Sequence, residues 1–148
     1  MSQDALKLDD YLPYLVNRVG AALVETYTRR ALAASKLSID MWRVLAALSN
    51  NGGQRQIDLA SVTSIEASTI SRLVTRLVRL GFVNRSRSET SSREVLVQLS
   101  PKGRALVKKL IPVAIALEET AASGLSSSEL SQFKKTLRKV YGNLATRR

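Results

Sequence analysis

The chain has 148 residues, enough for one compact domain or subunit, and its 23 Lys and Arg against 12 Asp and Glu leave a net charge of +11. It has neither cysteine nor histidine, which excludes disulfides, thiol chemistry and Cys- or His-ligated metal, and removes the commonest general base near neutral pH. A hydrophobic fraction of 45% supports a packed core, while the cationic surplus fits a polyanionic partner, nucleic acid or an anionic surface.

The N-terminal stretch MSQDALKLDDYLPY is acidic and lacks the pattern of a secretory signal, and the longest apolar run, LIPVAIAL, is too short to span a bilayer. A soluble, cytoplasmic protein is expected, without membrane association. Leu12, Leu15, Val16, Val19, Leu23 and Tyr27 recur at helical spacing, predicting a long helix from about Asp10 to Ala34. Ser38 is the expected N-cap of a second helix through Trp42, Val44, Leu45 and Leu48. The run NNGG from Asn50 to Gly53 is a turn.

A short helix is expected from Gln54 to Val62, a tight turn over TSIE, and then a second helix closed by Gly81. Its inner row is Ile70, Leu73, Val74, Leu77 and Leu80. Two short helices joined this way are a helix-turn-helix. Val83 and then Val95, Val97 and Leu99, alternating with polar residues, predict a β-hairpin whose tip is the hydroxyl-rich stretch Ser88–Ser92. Ser100 and Pro101 start a fifth helix to about Ala122, with Leu106, Leu110, Val113 and Leu117 inward and Pro112 expected to kink it or remove a hydrogen bond. Ser126 and Glu129 form a capping box for a last helix with a seam of Leu130, Phe133, Leu137, Val140, Tyr141 and Leu144.

The expected fold class is therefore mainly α with a small β-hairpin wing: a winged helix-turn-helix flanked by dimerisation helices. Residues 1–36 form the N-terminal dimerisation helix, 37–100 the DNA-binding lobe and 101–148 the C-terminal dimerisation helices of one compact subunit. The two terminal seams need burial of their own. They find it against a second copy, or against each other within one chain.

The positive charge is concentrated on the lobe. Between Gln54 and Lys109 the acids are Asp58, Glu66, Glu89 and Glu94, against a much longer series of Arg and Lys. The outer face of the helix after TSIE carries Ser68, Thr69, Ser71, Arg72, Thr75 and Arg76, with no acid after Glu66. Short hydroxyls approach phosphates and base edges closely, and Arg makes paired hydrogen bonds to guanine, so these six are the expected major-groove residues. Arg93, just after the hairpin tip, is expected to enter a narrow minor groove. Plainer roles stand beside these: Ser68 or Thr69 as helix cap, and Arg93 paired with Glu89 or Glu94. Arg79, at the helix end, favours the helix dipole and is not assigned to the DNA.

The stretches QIDLASVTSIEASTISRLVTRLVRLGFVNRS and SSREVLVQLSPKGRAL, with the order of elements, resemble the MarR family of bacterial transcription regulators along essentially the whole chain. The resemblance implies homodimers that bind palindromic double-stranded operators, usually repress, and are released by small, often aromatic ligands. Two departures stand out. Family members commonly have Asp-x-Arg before the second wing strand, where this chain has Ser91-Ser92-Arg93, and Ala67 stands where a proline often opens the recognition helix.

The same resemblance places effectors where the first, second and fifth helices meet the lobe. In this chain that region offers Tyr11, Tyr14, Met41, Trp42 and Arg43. The plainer role of Met41 and Trp42 is core, and that of Arg43 is solvation. LDDYLPYLVNRVG also resembles the first helix of members answering to aromatic acids or their coenzyme A thioesters, so an anionic aromatic effector or its acyl-CoA is expected. No cofactor and no catalytic residue is expected. The alternative function is an architectural DNA binder with little sequence preference and no ligand; an enzyme finds no supporting motif.

Overall fold

A computed structural model describes residues 5–87 and 94–145. A 3-10 turn, Leu8–Asp10, precedes α1 (Leu12–Tyr27), which has Pro13 in its first turn. The helix continues as a π stretch, Thr28–Leu32, and a 3-10 turn, Ala33–Ser35. Lys36 then turns into the left-handed region at φ 56°. The Ser38 hydroxyl accepts the Met41 N–H at 3.2 Å and caps α2 (Ile39–Asn51). Gly52, at φ 76°, ends that helix.

Gln54 and Arg55 form a short strand, β1, rather than the start of a helix. It leads directly into α3 (Gln56–Thr63). Ser64 is left-handed at φ 58°, and α4 (Ala67–Arg79) follows. The hairpin strands are β2 (Val83–Arg87) and β3 (Val95–Leu99). They pair antiparallel, with Val83 opposite Leu99 and Arg87 opposite Val95. β1 adds to the other edge of β3, with Gln54 opposite Val97, so the sheet has three strands in the order β1-β3-β2. The expected tip, Ser88–Ser92, and Arg93 lie outside the described residues.

α5 (Pro101–Ala121) runs on through Pro112, which has no N–H to give the Lys108 carbonyl. Both residues are exposed, so water can take that carbonyl. In α6 (Ser127–Ala145) the capping box is reciprocal: the Ser126 N–H donates to Glu129 Oε1 at 3.0 Å and the Glu129 N–H to Ser126 Oγ at 3.1 Å.

The core gathers Met41, Val44, Leu45 and Leu48 of α2, Leu59 of α3, Ile70, Val74 and Leu77 of α4, and Val83, Val97 and Leu99 of the sheet. Tyr27 and Leu32 from one end of the chain and Val107 and Leu110 from α5 join the same cluster. Each such side chain contributes about 1.5–3 kcal/mol by leaving water. On α5 the innermost apolar residues are Val107 and Leu110, while Leu106, Val113 and Leu117 are only half-buried.

One junction fixes α5 to the lobe. The Ser100 N–H donates to the Phe82 carbonyl at 3.0 Å, and Ser100 Oγ donates to the Gly81 carbonyl while accepting the Gly103 N–H at 3.0 Å. Gly81 sits at φ 82°. At Gly103 the backbones meet so closely that a Cβ would lie 1.9 Å from the Phe82 carbonyl oxygen.

The terminal helices keep apolar faces in the open. Val19 on α1 is 52% exposed and Phe133 on α6 51%, with Leu12, Leu15, Val16, Leu137, Tyr141 and Leu144 alongside them.

Candidate nucleic-acid interface

α4 is sharply two-sided. Ile70, Val74 and Leu77 are fully buried, which anchors the helix and leaves Ser68, Arg72, Arg76 and Arg79 exposed. Thr69, Ser71 and Thr75 are half-buried along the margin. Ser71, Arg72, Thr75, Arg76, Arg79 and Leu80 line one shallow concavity. Arg79 therefore shares the surface with the residues expected to contact DNA, which its place near the helix end did not reveal.

Glu66 occupies the N-cap position of α4 and makes no side-chain cap bond. Ser68 and Thr69 lie one and two residues inside the helix, so neither is its cap. Arg72 Nη2 donates to Thr69 Oγ1 at 3.3 Å, and Thr75 Oγ1 donates to the Ser71 carbonyl at 3.0 Å. Among the described residues, Arg72, Arg76 and Arg79 have no carboxylate partner. No described acid compensates their charges, on a face that also offers short hydroxyls, the combination that phosphates and guanine edges accept.

Other cations of the lobe are committed internally. Arg85 on β2 donates from Nε to Gln56 Oε1 at 3.0 Å and from Nη2 to the Ser71 carbonyl at 2.9 Å. It ties the sheet, the start of α3 and the second turn of α4 together. Arg55 holds Asp58 through two hydrogen bonds and Glu94 through a third. The hydrogen bond from Arg55 holds the Asp58 carboxyl below the ordinary carboxylate value, and the same two acids raise the Arg55 guanidinium's hold on its proton.

A second, more enclosed feature is an apolar groove of about 440 Å³ between α1, the start of α2, the end of α5 and α6. Leu23, Tyr27, Trp42, Leu117 and Phe133 line it, with Arg43 and Lys134 at its edge. Tyr27 and Trp42 meet edge to face, ring centroids 5.4 Å apart. Tyr27 is 3% exposed and donates its hydroxyl to the Leu110 carbonyl at 3.0 Å. Burial pushes its phenol up to about 12.

Of the residues expected at an effector site, the structure brings Trp42 and Arg43 to this groove. Met41 is corrected: at 1% exposure it belongs to the core, because α2 turns positions 41, 44, 45 and 48 inward together. Tyr11, exposed ahead of α1, and Tyr14, half-buried in its first turn, do not line the groove. Arg43 is ion-paired with Asp40 at 2.9 Å. Phe133, expected only in the seam of α6, and Lys134 also line the groove, where Lys134 pairs with Glu118 of α5.

A basic, hydroxyl-bearing second helix of a helix-turn-helix, with a β-hairpin behind it, defines a DNA-binding transcriptional regulator. Comparison with known proteins agrees. The MarR family model matches residues 37–95. The HTH-type transcriptional repressor Rv2887 of Mycobacterium tuberculosis is 30% identical over 132 residues, spanning 89% of this chain and 94% of the relative. A MarR-family transcriptional regulator from Silicibacter pomeroyi superposes with a TM-score of 0.81 at 30% identity, covering 97% of this chain and 96% of that one. BpsR of Bordetella bronchiseptica, whose DNA binding is regulated by 6-hydroxynicotinic acid, superposes with a TM-score of 0.78 at 28% identity, covering 88% and 98%. The chain belongs to the MarR family.

Proposed function

We propose that this regulator is a cytoplasmic repressor that binds a two-fold symmetric operator as a homodimer and releases it when an anionic aromatic acid, or its coenzyme A thioester, binds. The observation that carries the DNA half is the face of α4, where Arg72, Arg76 and Arg79 have no described acid to neutralise them and Ser68 and Thr69 stand at the end that enters the groove first. The open apolar faces of α1 and α6 support a dimer. A symmetric site needs two modules about one helical turn apart, and pairing the terminal helices supplies two.

The effector half rests on the groove. It offers an aromatic wall in Tyr27, Trp42 and Phe133 and cations in Arg43 and Lys134. Both cations already have an acid partner, Asp40 and Glu118 respectively, so an incoming carboxylate competes for them. BpsR, which responds to a heteroaromatic acid, supports this class of ligand. Release requires that the ligand bind the DNA-free conformation more tightly, by a coupling of about 1–3 kcal/mol.

The test uses a duplex selected by the protein from random sequence, with fluorescence anisotropy to follow release. Free aromatic acids and their coenzyme A esters are titrated separately. Release by either supports the reading. Sequence-selective DNA binding with no response to either, and no heat of binding by calorimetry, overturns the effector class. Equal affinity for selected and scrambled DNA instead supports an architectural binder.

A further inference from the structure

Among the described residues of the DNA-binding lobe, Asp58 and Glu94 are held by one guanidinium, that of Arg55. Arg55 lies on β1, opposite Leu96 of β3. Its Nε and Nη2 donate to the two oxygens of Asp58 at 2.9 and 3.1 Å, a paired fork to the first turn of α3. Its Nη1 donates to Glu94 Oε1 at 3.1 Å, at the foot of β3 and immediately after Arg93 in the sequence. One side chain thus joins three elements: the edge strand, the first helix of the helix-turn-helix and the root of the hairpin's second strand.

The cluster's charge is out of keeping with its surroundings. One cation and two carboxylates leave a net negative charge on a lobe that is otherwise strongly basic. On electrostatic grounds alone, each acid opposes approach to a polyanion, and its removal strengthens DNA binding. Nor is Arg55 a free phosphate ligand, since its donors are directed at the two acids.

We infer that Arg55, Asp58 and Glu94 form a positioning brace that fixes where the hairpin leaves the lobe relative to α4, so that hairpin and recognition helix meet the same DNA in register. The inference rests on the DNA-binding reading proposed above. Residues of the brace act through the hairpin and not by touching DNA. Fork geometry and the shared cation favour cooperation between the pairs, while their partial exposure keeps the effect modest.

The experiment measures affinity of Glu94→Gln, Arg55→Gln and the double variant for a duplex selected by the wild-type protein. The same duplex truncated to the base pairs under α4 serves for comparison, and Arg72→Ala is carried alongside. Brace action predicts that Glu94→Gln binds the full duplex about two- to fivefold more weakly despite losing a negative charge. It also predicts little change on the truncated duplex, and a double variant no weaker than Arg55→Gln alone. Unchanged thermal unfolding accompanies these effects, because the side chains are partly exposed. Equal or tighter binding by Glu94→Gln, equal loss on both duplexes, or additive losses in the double variant overturn the brace. Failure of the wild-type protein to discriminate DNA sequences, or an Arg72→Ala variant that binds normally, counts against the DNA-docking reading instead.

Discussion

Replacing Gly103 with alanine tests the junction that joins the lobe to α5. The added Cβ would lie 1.9 Å from the Phe82 carbonyl oxygen and 2.9 Å from its carbon. A tolerable carbon–oxygen contact is about 3.3 Å, so the first turn of α5 must retreat by roughly 1.4 Å. It is not free to do so. Ser100 Oγ accepts the Gly103 N–H at 3.0 Å, and the Ser100 N–H is bonded to that same Phe82 carbonyl. Overpacking of this kind costs about 1–3 kcal/mol, and disruption of the cap adds about 1 kcal/mol. Alanine returns up to about 1 kcal/mol in helix propensity. Because the obstacle is backbone and not a yielding side chain, the net loss should lie near the top, about 3 kcal/mol. For a chain of this size that lowers Tm by about 6–12 °C. Urea unfolding followed by circular dichroism, at one fixed protomer concentration, measures it. Gly20→Ala is the control: its Cβ meets nothing within 4 Å, so it should be neutral or stabilising by up to about 1 kcal/mol. A Gly103→Ala variant within about 0.5 kcal/mol of wild type would refute the close-approach argument.

Other consequences follow from the same geometry. Arg79→Ala should lower affinity on all sequences and reduce the salt slope by about 1, whereas Arg85→Ala should weaken specific binding with the slope unchanged, because Arg85 is already bonded to Gln56 and Ser71; affinity against salt concentration separates them. Tyr27 titrates at about 12 when folded, against an ordinary 10.0, so the folded state holds its proton longer than the unfolded chain. Its contribution is therefore fully present below pH 10 and is lost as pH rises towards 12, by about 2–3 kcal/mol in all. Urea titrations across that range should show the decline, and Tyr27→Phe should flatten it. Val16→Asp, on the open face of α1 and outside the groove, should shift sedimentation of a micromolar solution towards folded monomer; an unchanged dimer argues for a different interface.

Much of the fold is legible in the chain because its signals are local. Ser38, Ser100 with Pro101, and Ser126 with Glu129 mark helix starts by side chains that bond within three residues. The inner row of α4 is legible because one helix presents one face to the core. What the sequence hides is decided by other elements. β1 is only two residues long, with no period to read, and becomes a strand because β3 offers an edge. Arg85 and Arg55 count in the sequence only towards the lobe's positive charge, because the partners that commit them lie up to 39 positions away. At the groove, the row 41, 44, 45 and 48 carries Met41 inward by helical spacing, but the place of Trp42 against Tyr27 depends on how α1 packs on α2. The place of Phe133 and Lys134 at the groove was out of reach because it depends on where α6 stands relative to the end of α5, which no local pattern encodes.

The central claim is that α4 reads DNA through guanidiniums that no described carboxylate neutralises. Its most direct test is the affinity of wild type, Arg72→Ala and Arg76→Ala for a selected operator and a scrambled duplex at one salt concentration. The account predicts a large specificity ratio for wild type and a loss of about 1–3 kcal/mol on the operator for a variant that removes a base contact, with folding intact. Operator affinity unchanged in both folded variants would contradict it.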